Sequence, residues 1–148
     1  MTYREVIRPP LWVLAFIYFL FLSLVLAIWA ALDNRSALIS WIASTLAIFA
    51  LAYIWRREIV VESGELRVGK AHIELRYIAG CEALTGEQMR LLRTRDADPA
   101  AFLALAFWMP SGVKISLNDS RDPTPYWLIS CKKSEELTRT LYKLFRLW

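Results

Sequence analysis

One histidine, two cysteines and five glycines in 148 residues leave little material for most catalytic or metal chemistry. Cys81 and Cys131 lie 50 positions apart, and with His72 they make neither a zinc-ligand spacing nor a Cys-x-x-Cys redox pair. No glycine-rich phosphate loop and no nucleophile elbow occurs, so nucleotide-dependent and serine-hydrolase readings have no motif to start from. His72 alternates onto the polar side of its run beside Glu74, which reads as a solvent-facing strand residue rather than a general base. The net charge of +4 is mild and forms no dense basic patch, which argues against a nucleic-acid partner. Neither a cofactor nor a metal is expected, and catalysis is the minority reading.

Between Leu11 and Trp55 only Asp33 and Arg35 are charged. Leu11 to Leu32 carries no charged residue over 22 positions, about 33 Å of helix at about 1.5 Å per residue, enough to cross a hydrocarbon core of about 30 Å. After Asp33-Asn34-Arg35-Ser36, Ala37 to Trp55 adds 19 more uncharged residues. The spacer is too short for a domain, so the two spans, 11–32 and 37–55, form a transmembrane helical hairpin. A cleavable signal peptide would have a shorter apolar core and no second span directly behind it. Pro9 and Pro10 stand at the helix entry, where a missing N–H costs little. Trp12 and Trp29 lie near the ends of the first span and Trp41 and Trp55 near those of the second, where an indole settles at a membrane interface.

Arg4 and Arg8 precede the hairpin and Arg56 and Arg57 follow it, while the turn balances one Arg against one Asp. The positive-inside rule therefore puts both termini in the cytoplasm, in a two-span protein of the inner membrane, with the cysteines reduced. Two small-residue stripes, Ser23-Ala27-Ala31 and Ser36-Ser40-Ser44, predict close helix packing with hydroxyls bonding across. The absence of intramembrane charge argues strongly against an ion pathway or proton relay.

From Arg56 onward there are 15 Lys and Arg against 12 Asp and Glu, a globular mixture. The domain division is thus 1–57 for the lead and hairpin and 58–148 for a soluble part. Ile59, Val61, Leu66, Val68, Ile73 and Leu75 alternate with polar residues, and Ser63-Gly64 and Gly69-Lys70 supply turns, predicting an antiparallel meander. Tyr77–Leu84 is a further strand, interrupted at Gly80. Thr85 caps a short helix to Arg95, and Asp98-Pro99 opens another turn. The apolar run Phe102–Met109 reads as a strand covered on both faces and paired with Val113–Leu117, or else as an exposed patch touching lipid or a second subunit. Tyr126–Cys131 is the last strand. Ser134 then opens an amphipathic helix with Leu137, Leu141, Leu144, Phe145 and Trp148 along one stripe. That helix either caps the sheet or lays its basic face, Arg139, Lys143 and Arg146, on the inner leaflet.

Strands followed by one closing helix suggest a small antiparallel pleckstrin-homology-like barrel. The Tyr3-Arg4-Glu5 opening, Gly64-Glu65-Leu66-Arg67-Val68-Gly69 and Asp122-Pro123-Thr124-Pro125-Tyr126-Trp127-Leu128-Ile129-Ser130 carry a resemblance over nearly the whole chain. It resembles the uncharacterised actinobacterial two-span membrane proteins with a C-terminal pleckstrin-homology-like domain. That resemblance implies an α+β membrane protein, with the hairpin followed by the barrel and its capping helix, and implies no activity. Cys131-Lys132-Lys133 departs from it where more arginine is expected.

The expected function is a membrane-anchored, non-enzymatic binding or scaffolding module. A structural subunit of a membrane complex, or a small-ligand sensor or enzyme using the 121–127 loop, are the alternatives. Its partners are the lipid bilayer and a membrane protein or second copy. If a site exists, Arg121, Asp122, Thr124, Tyr126 and Trp127 bring a cation, an acceptor, a hydroxyl and two aromatics together. The competing reading has Asp122 and Thr124 capping a turn while Tyr126 and Trp127 pack the core.

Overall fold

A computed structural model describes residues 3–147. These form two compact units, one of residues 8–57 and the other of residues before and after it, up to Ile7 and from Glu58.

The 8–57 unit is the hairpin. Helix α1 (Leu11–Ala31) enters after Pro10, and α2 (Asn34–Ile54) is capped by Asp33, whose carboxylate accepts from the Ser36 N–H at 3.0 Å. Both are long and apolar enough to cross a membrane, with mean hydropathy 2.7 and 2.0 and almost no residue buried within the molecule. Half of the expected packing register holds. Ser36, Ser40 and Ser44 lie on the half-buried stripe of α2, but α1 presents large residues, including Leu14, Tyr18, Phe21 and Val25, while Ser23, Ala27 and Ala31 are exposed. The serine hydroxyls do not bond across. Ser23, Ser40 and Ser44 each donate to the carbonyl four residues back in their own helix, a bond always within reach of a helical serine. The polar contacts between helices are instead Tyr18 with Thr45 at 3.2 Å, the Trp41 indole donating to Tyr18 at 3.0 Å and, next to the turn, the Trp29 indole donating to Asn34.

Among the described residues the other unit holds eight strands and two α-helices. One sheet has the order β1-β2-β3-β4, from Tyr3–Ile7, Arg57–Glu62, Glu65–Val68 and Ala71–Glu74. The meander is as the alternation predicts. Ser63 and Gly64 both take positive φ in the first two-residue turn, and Gly69 does so in the second. Strand β1 differs from the expected division: residues 3–7 belong to this unit, because β1 is the hydrogen-bonded neighbour of β2 although the whole hairpin separates them in sequence.

The second sheet has the order β5-β7-β8-β6, from Ile78–Leu84, Gly112–Leu117, Tyr126–Ser130 and Phe102–Ala104. The register of β5 against β7 shifts at Gly80, where the sequence marks an interruption. The two sheets are separate and open at their edges, so the expected closed barrel is not formed. A single core fills the space between them. Ile59, Val61, Leu66, Ile115, Trp127 and Ile129 meet Leu137 and Leu141 of helix α4 (Ser134–Phe145), so the closing helix covers the sheets. Trp148, expected on the same stripe, lies outside the described residues.

The run Phe102–Met109 is corrected most. Only Phe102–Ala104 is strand, and it pairs in parallel with β8 rather than with β7. Beyond it the backbone turns away: Ala106 N–H donates to the buried Ser130 hydroxyl at 3.1 Å and Met109 N–H to Ala106 at 3.0 Å. The strand buried on both faces is β8, with all five residues inside. Helix α3 (Gly86–Arg93), held by a reciprocal capping box between Thr85 and Gln88, covers the back of the second sheet. Met89 there packs with Leu84, Tyr126 and Leu128.

Candidate functional site

The loop from β7 to β8 is built by its own polar groups. Asp119 accepts from the Arg121 N–H at 2.9 Å and from its guanidinium at 3.3 Å, and Asp122 accepts from the Thr124 N–H at 2.9 Å. These are turns closed by Asx side chains, the local competition with longer secondary structure that Asp favours. Bonds from Arg121 hold the Asp119 carboxyl below the usual carboxylate range, and bonds from Thr124 do the same for Asp122. Arg121 reaches out of the loop to donate to the Tyr77 hydroxyl, with its guanidinium 5.2 Å from the ring centroid; Arg76 lies 4.9 Å from the same centroid. Arg76 is itself paired with Glu74 at 2.7 Å.

The five expected site residues therefore do not converge. Arg121 and Asp122 are exposed, whereas Tyr126 and Trp127, as successive residues of one strand, point to opposite faces of the sheet. Tyr126 joins the α3 cluster with Lys114 Nζ 4.7 Å from its ring centroid, and Trp127 enters the main core with Phe102 at 4.6 Å. Thr124 closes the Asp122 turn through its side chain and its N–H. Partners that the sequence reading omits, Tyr77, Arg76 and Asp119, surround Arg121 instead. Only Asp119, two positions from Arg121 in an Asx-rich loop, had a local signal.

The residues expected at a membrane interface sit as follows. Trp12, Trp29 and Trp41 are exposed on the hairpin, and the Trp29 indole donates to Asn34 at 2.6 Å across the connecting turn. Trp55 ends α2, and Arg56 and Arg57 are exposed at the step into β2.

Elsewhere, an open concavity of about 740 Å³ on the first sheet is lined by Arg4, Glu58, Glu62, Glu65 and Arg67. Its charges are largely matched, Arg4 with Glu58 and Arg67 with Glu65 at 3.1 Å. His72 is exposed on β4, with Arg67 as its cross-strand neighbour. Among the described residues no group of three His, Cys, Asp or Glu is placed to hold a metal. Both thiols are buried: desolvation pushes Cys81 up to about 11, and desolvation with the nearby Glu5 carboxylate pushes Cys131 up to about 12.

The Tyr3-Arg4-Glu5 opening has a role the sequence alone did not reveal. Arg4 pairs with Glu58 on the neighbouring strand, Tyr3 is buried and donates to Glu5, and Glu5 accepts from the Lys132 N–H at 2.8 Å, where β8 gives way to α4. Comparison with family models matches residues 2–141 to the protein family of unknown function DUF3093. The chain belongs to the DUF3093 family. No curated protein and no solved structure matches it. In this DUF3093 member the matched span takes in the opening triad, the hairpin, both sheets and most of α4, so family membership covers the architecture as a whole.

Proposed function

We propose that this chain is a two-span protein of the inner membrane whose cytoplasmic, pleckstrin-homology-like domain is a non-enzymatic binding or scaffolding module. The observation that carries the reading is that an apolar hairpin stands, in sequence, between two strands that are neighbours in one sheet. A chain that leaves a sheet, crosses a bilayer and returns to the adjacent strand must cross an even number of times, which two spans satisfy. The flanking Arg4, Arg8, Arg56 and Arg57 favour the cytoplasmic side. Two packed sheets, antiparallel in most of their pairings, with a C-terminal helix over their core support the pleckstrin-homology-like reading. The binding role is favoured over catalysis because the polar groups of the 119–124 loop are consumed by one another. Its partners are the bilayer and a membrane protein or second copy.

Cysteine accessibility tests the topology. With Cys81 and Cys131 buried, a membrane-impermeant maleimide on intact cells should label Arg35→Cys and leave Lys70→Cys unlabelled until the membrane is permeabilised. Labelling of both from outside overturns the cytoplasmic placement, and labelling of Lys70→Cys alone inverts it. Copurification in mild detergent then tests binding: a stoichiometric protein or lipid partner is expected, and its absence from native membranes refutes the scaffold.

A further inference from the structure

Helix α3 and the segment 101–110 lie side by side. Leu92, Ala101 and Leu105 pack on the same cluster around Met89, and Pro110 stands so close to Gly86 that an added Cβ there would meet it at 3.2 Å. The segment thus runs antiparallel to the helix, from Ala101 near its C-terminal turn to Pro110 near its start. This part of the molecule carries large apolar side chains at the solvent, Leu103 at 49% and Phe107 at 63% exposure. It also carries Arg90, Arg93 and Arg95, none of which pairs with a carboxylate among the described residues. Of the nearby acids, Asp98 is occupied by the Ala100 N–H at 2.9 Å, while Glu87 in the first turn of α3 and Asp96 are exposed, so three arginines stand against two exposed carboxylates. A helix dipole favours cations in its last turn, which accounts for Arg90 and Arg93 but not for the exposed apolar side chains beside them.

We propose that this face docks on the anionic leaflet of the membrane, Phe107 and Leu103 entering the interfacial region while the three arginines lie among the phosphates. The inference rests on the anchored-module reading, which holds the domain beside a leaflet through linkers of a few residues on either side of the hairpin. Charge complementarity selects lipid over a second copy, since another copy would bring the same three cations to the contact. Each arginine at an anionic surface favours docking by about fivefold, so removing all three lowers the docked-to-lifted ratio about a hundredfold.

The test uses the full chain reconstituted in nanodiscs, with an environment-sensitive fluorophore on Phe107→Cys and quenchers on the lipid chains. Discs of phosphatidylcholine are compared with discs in which one lipid in three is phosphatidylglycerol. Quenching in the anionic discs, reduced in the neutral ones and abolished by Arg90→Gln, Arg93→Gln and Arg95→Gln together, is the expected result. Equal, weak quenching in both discs overturns the proposal, as does quenching indifferent to the three arginines. Shielding of the label that appears only when two chains share a disc also overturns it and assigns the face to a second copy. A label on Leu22→Cys separates the two readings: quenched there but not at Phe107, the hairpin is inserted and only the docking face is wrong; quenched at neither, the anchored-module reading fails.

Discussion

Glu5 should be worth far more than its place near the chain's beginning implies. Its carboxylate accepts from Lys132 across 127 positions of sequence and from the buried Tyr3 phenol, so Glu5→Ala leaves both donors without it. Hydrogen bonds to a charged acceptor contribute about 1.5–3 kcal/mol each, and a buried donor left unpaired costs at the upper end. Lys132 is exposed and water can replace its partner; Tyr3 is 6% exposed and water cannot easily reach it. A total near 3 kcal/mol follows, or about a hundredfold in the population of opened molecules. Cys131 directly precedes Lys132 and is fully buried, so its alkylation rate under native conditions reports that opening. The hairpin contains no cysteine, which keeps the signal within the other unit. Glu5→Ala should accelerate labelling of Cys131 about a hundredfold, and Glu5→Gln, which keeps an acceptor oxygen but loses the charge, about tenfold. Acceleration below threefold for Glu5→Ala would refute the idea that this side chain fastens β1 to the rest of the sheets.

Three further perturbations are specific. Gly112→Ala places a Cβ 2.3 Å from the Ile129 carbonyl oxygen and 2.6 Å from Met89 Cε; the methionine can yield but the backbone of β8 cannot, so a loss of about 3 kcal/mol or more is expected in thermal unfolding. An unchanged Tm contradicts that packing. Alkaline pH should destabilise the fold: Cys81 and Cys131 stay protonated when folded but ionise when unfolded, so their stabilising difference is complete below about 9 and is lost as pH rises toward about 11 and about 12. Tyr3, its phenol pushed up by burial and then by Glu5, adds to the same limb, and Cys131→Ala should flatten the decline measured by chemical denaturation. Arg121→Ala should leave unfolding unchanged, because the Asp119 and Asp122 turns close on backbone N–H groups that the substitution keeps, so a large drop in Tm would make the Arg121–Tyr77 contact a structural clamp.

What the sequence made legible was whatever is encoded locally. The hairpin follows from missing charge, the meander from alternation broken by Ser63-Gly64 and Gly69-Lys70, α3 from Thr85, and the coverage by α4 from Leu137 and Leu141. What escaped depends on partners distant in sequence. Tyr3–Ile7 is five residues long, and its partner strand begins only at Arg57, so nothing adjacent marks it as a strand. Phe102–Met109 and Tyr126–Ser130 are both apolar runs beside turn residues, and periodicity does not say which is central. The answer lies in the neighbours: β8 is flanked by β7 and β6, while β6 is an edge with Leu103 at solvent. The candidate loop failed to converge for a similarly simple reason, since adjacent residues in a strand cannot share a face.

The interruption of a sheet by an apolar hairpin constrains more than the location of the termini. Had the hairpin merely preceded the domain, a chain with a single crossing could still fold its soluble part. Here β1 reaches β2 only if both ends of the hairpin emerge on one side, so in a bilayer a one-span arrangement strands Tyr3, Arg4 and Glu5 away from Glu58 and Lys132. The sheet edge at β2 and the Lys132 N–H are then left open, and the energetic difference worked out for Glu5 becomes a preference for the two-span topology itself. Under the proposed topology, crossing the bilayer twice and closing β1 onto β2 are one equilibrium, and Glu5 is a residue at which a single substitution acts on both.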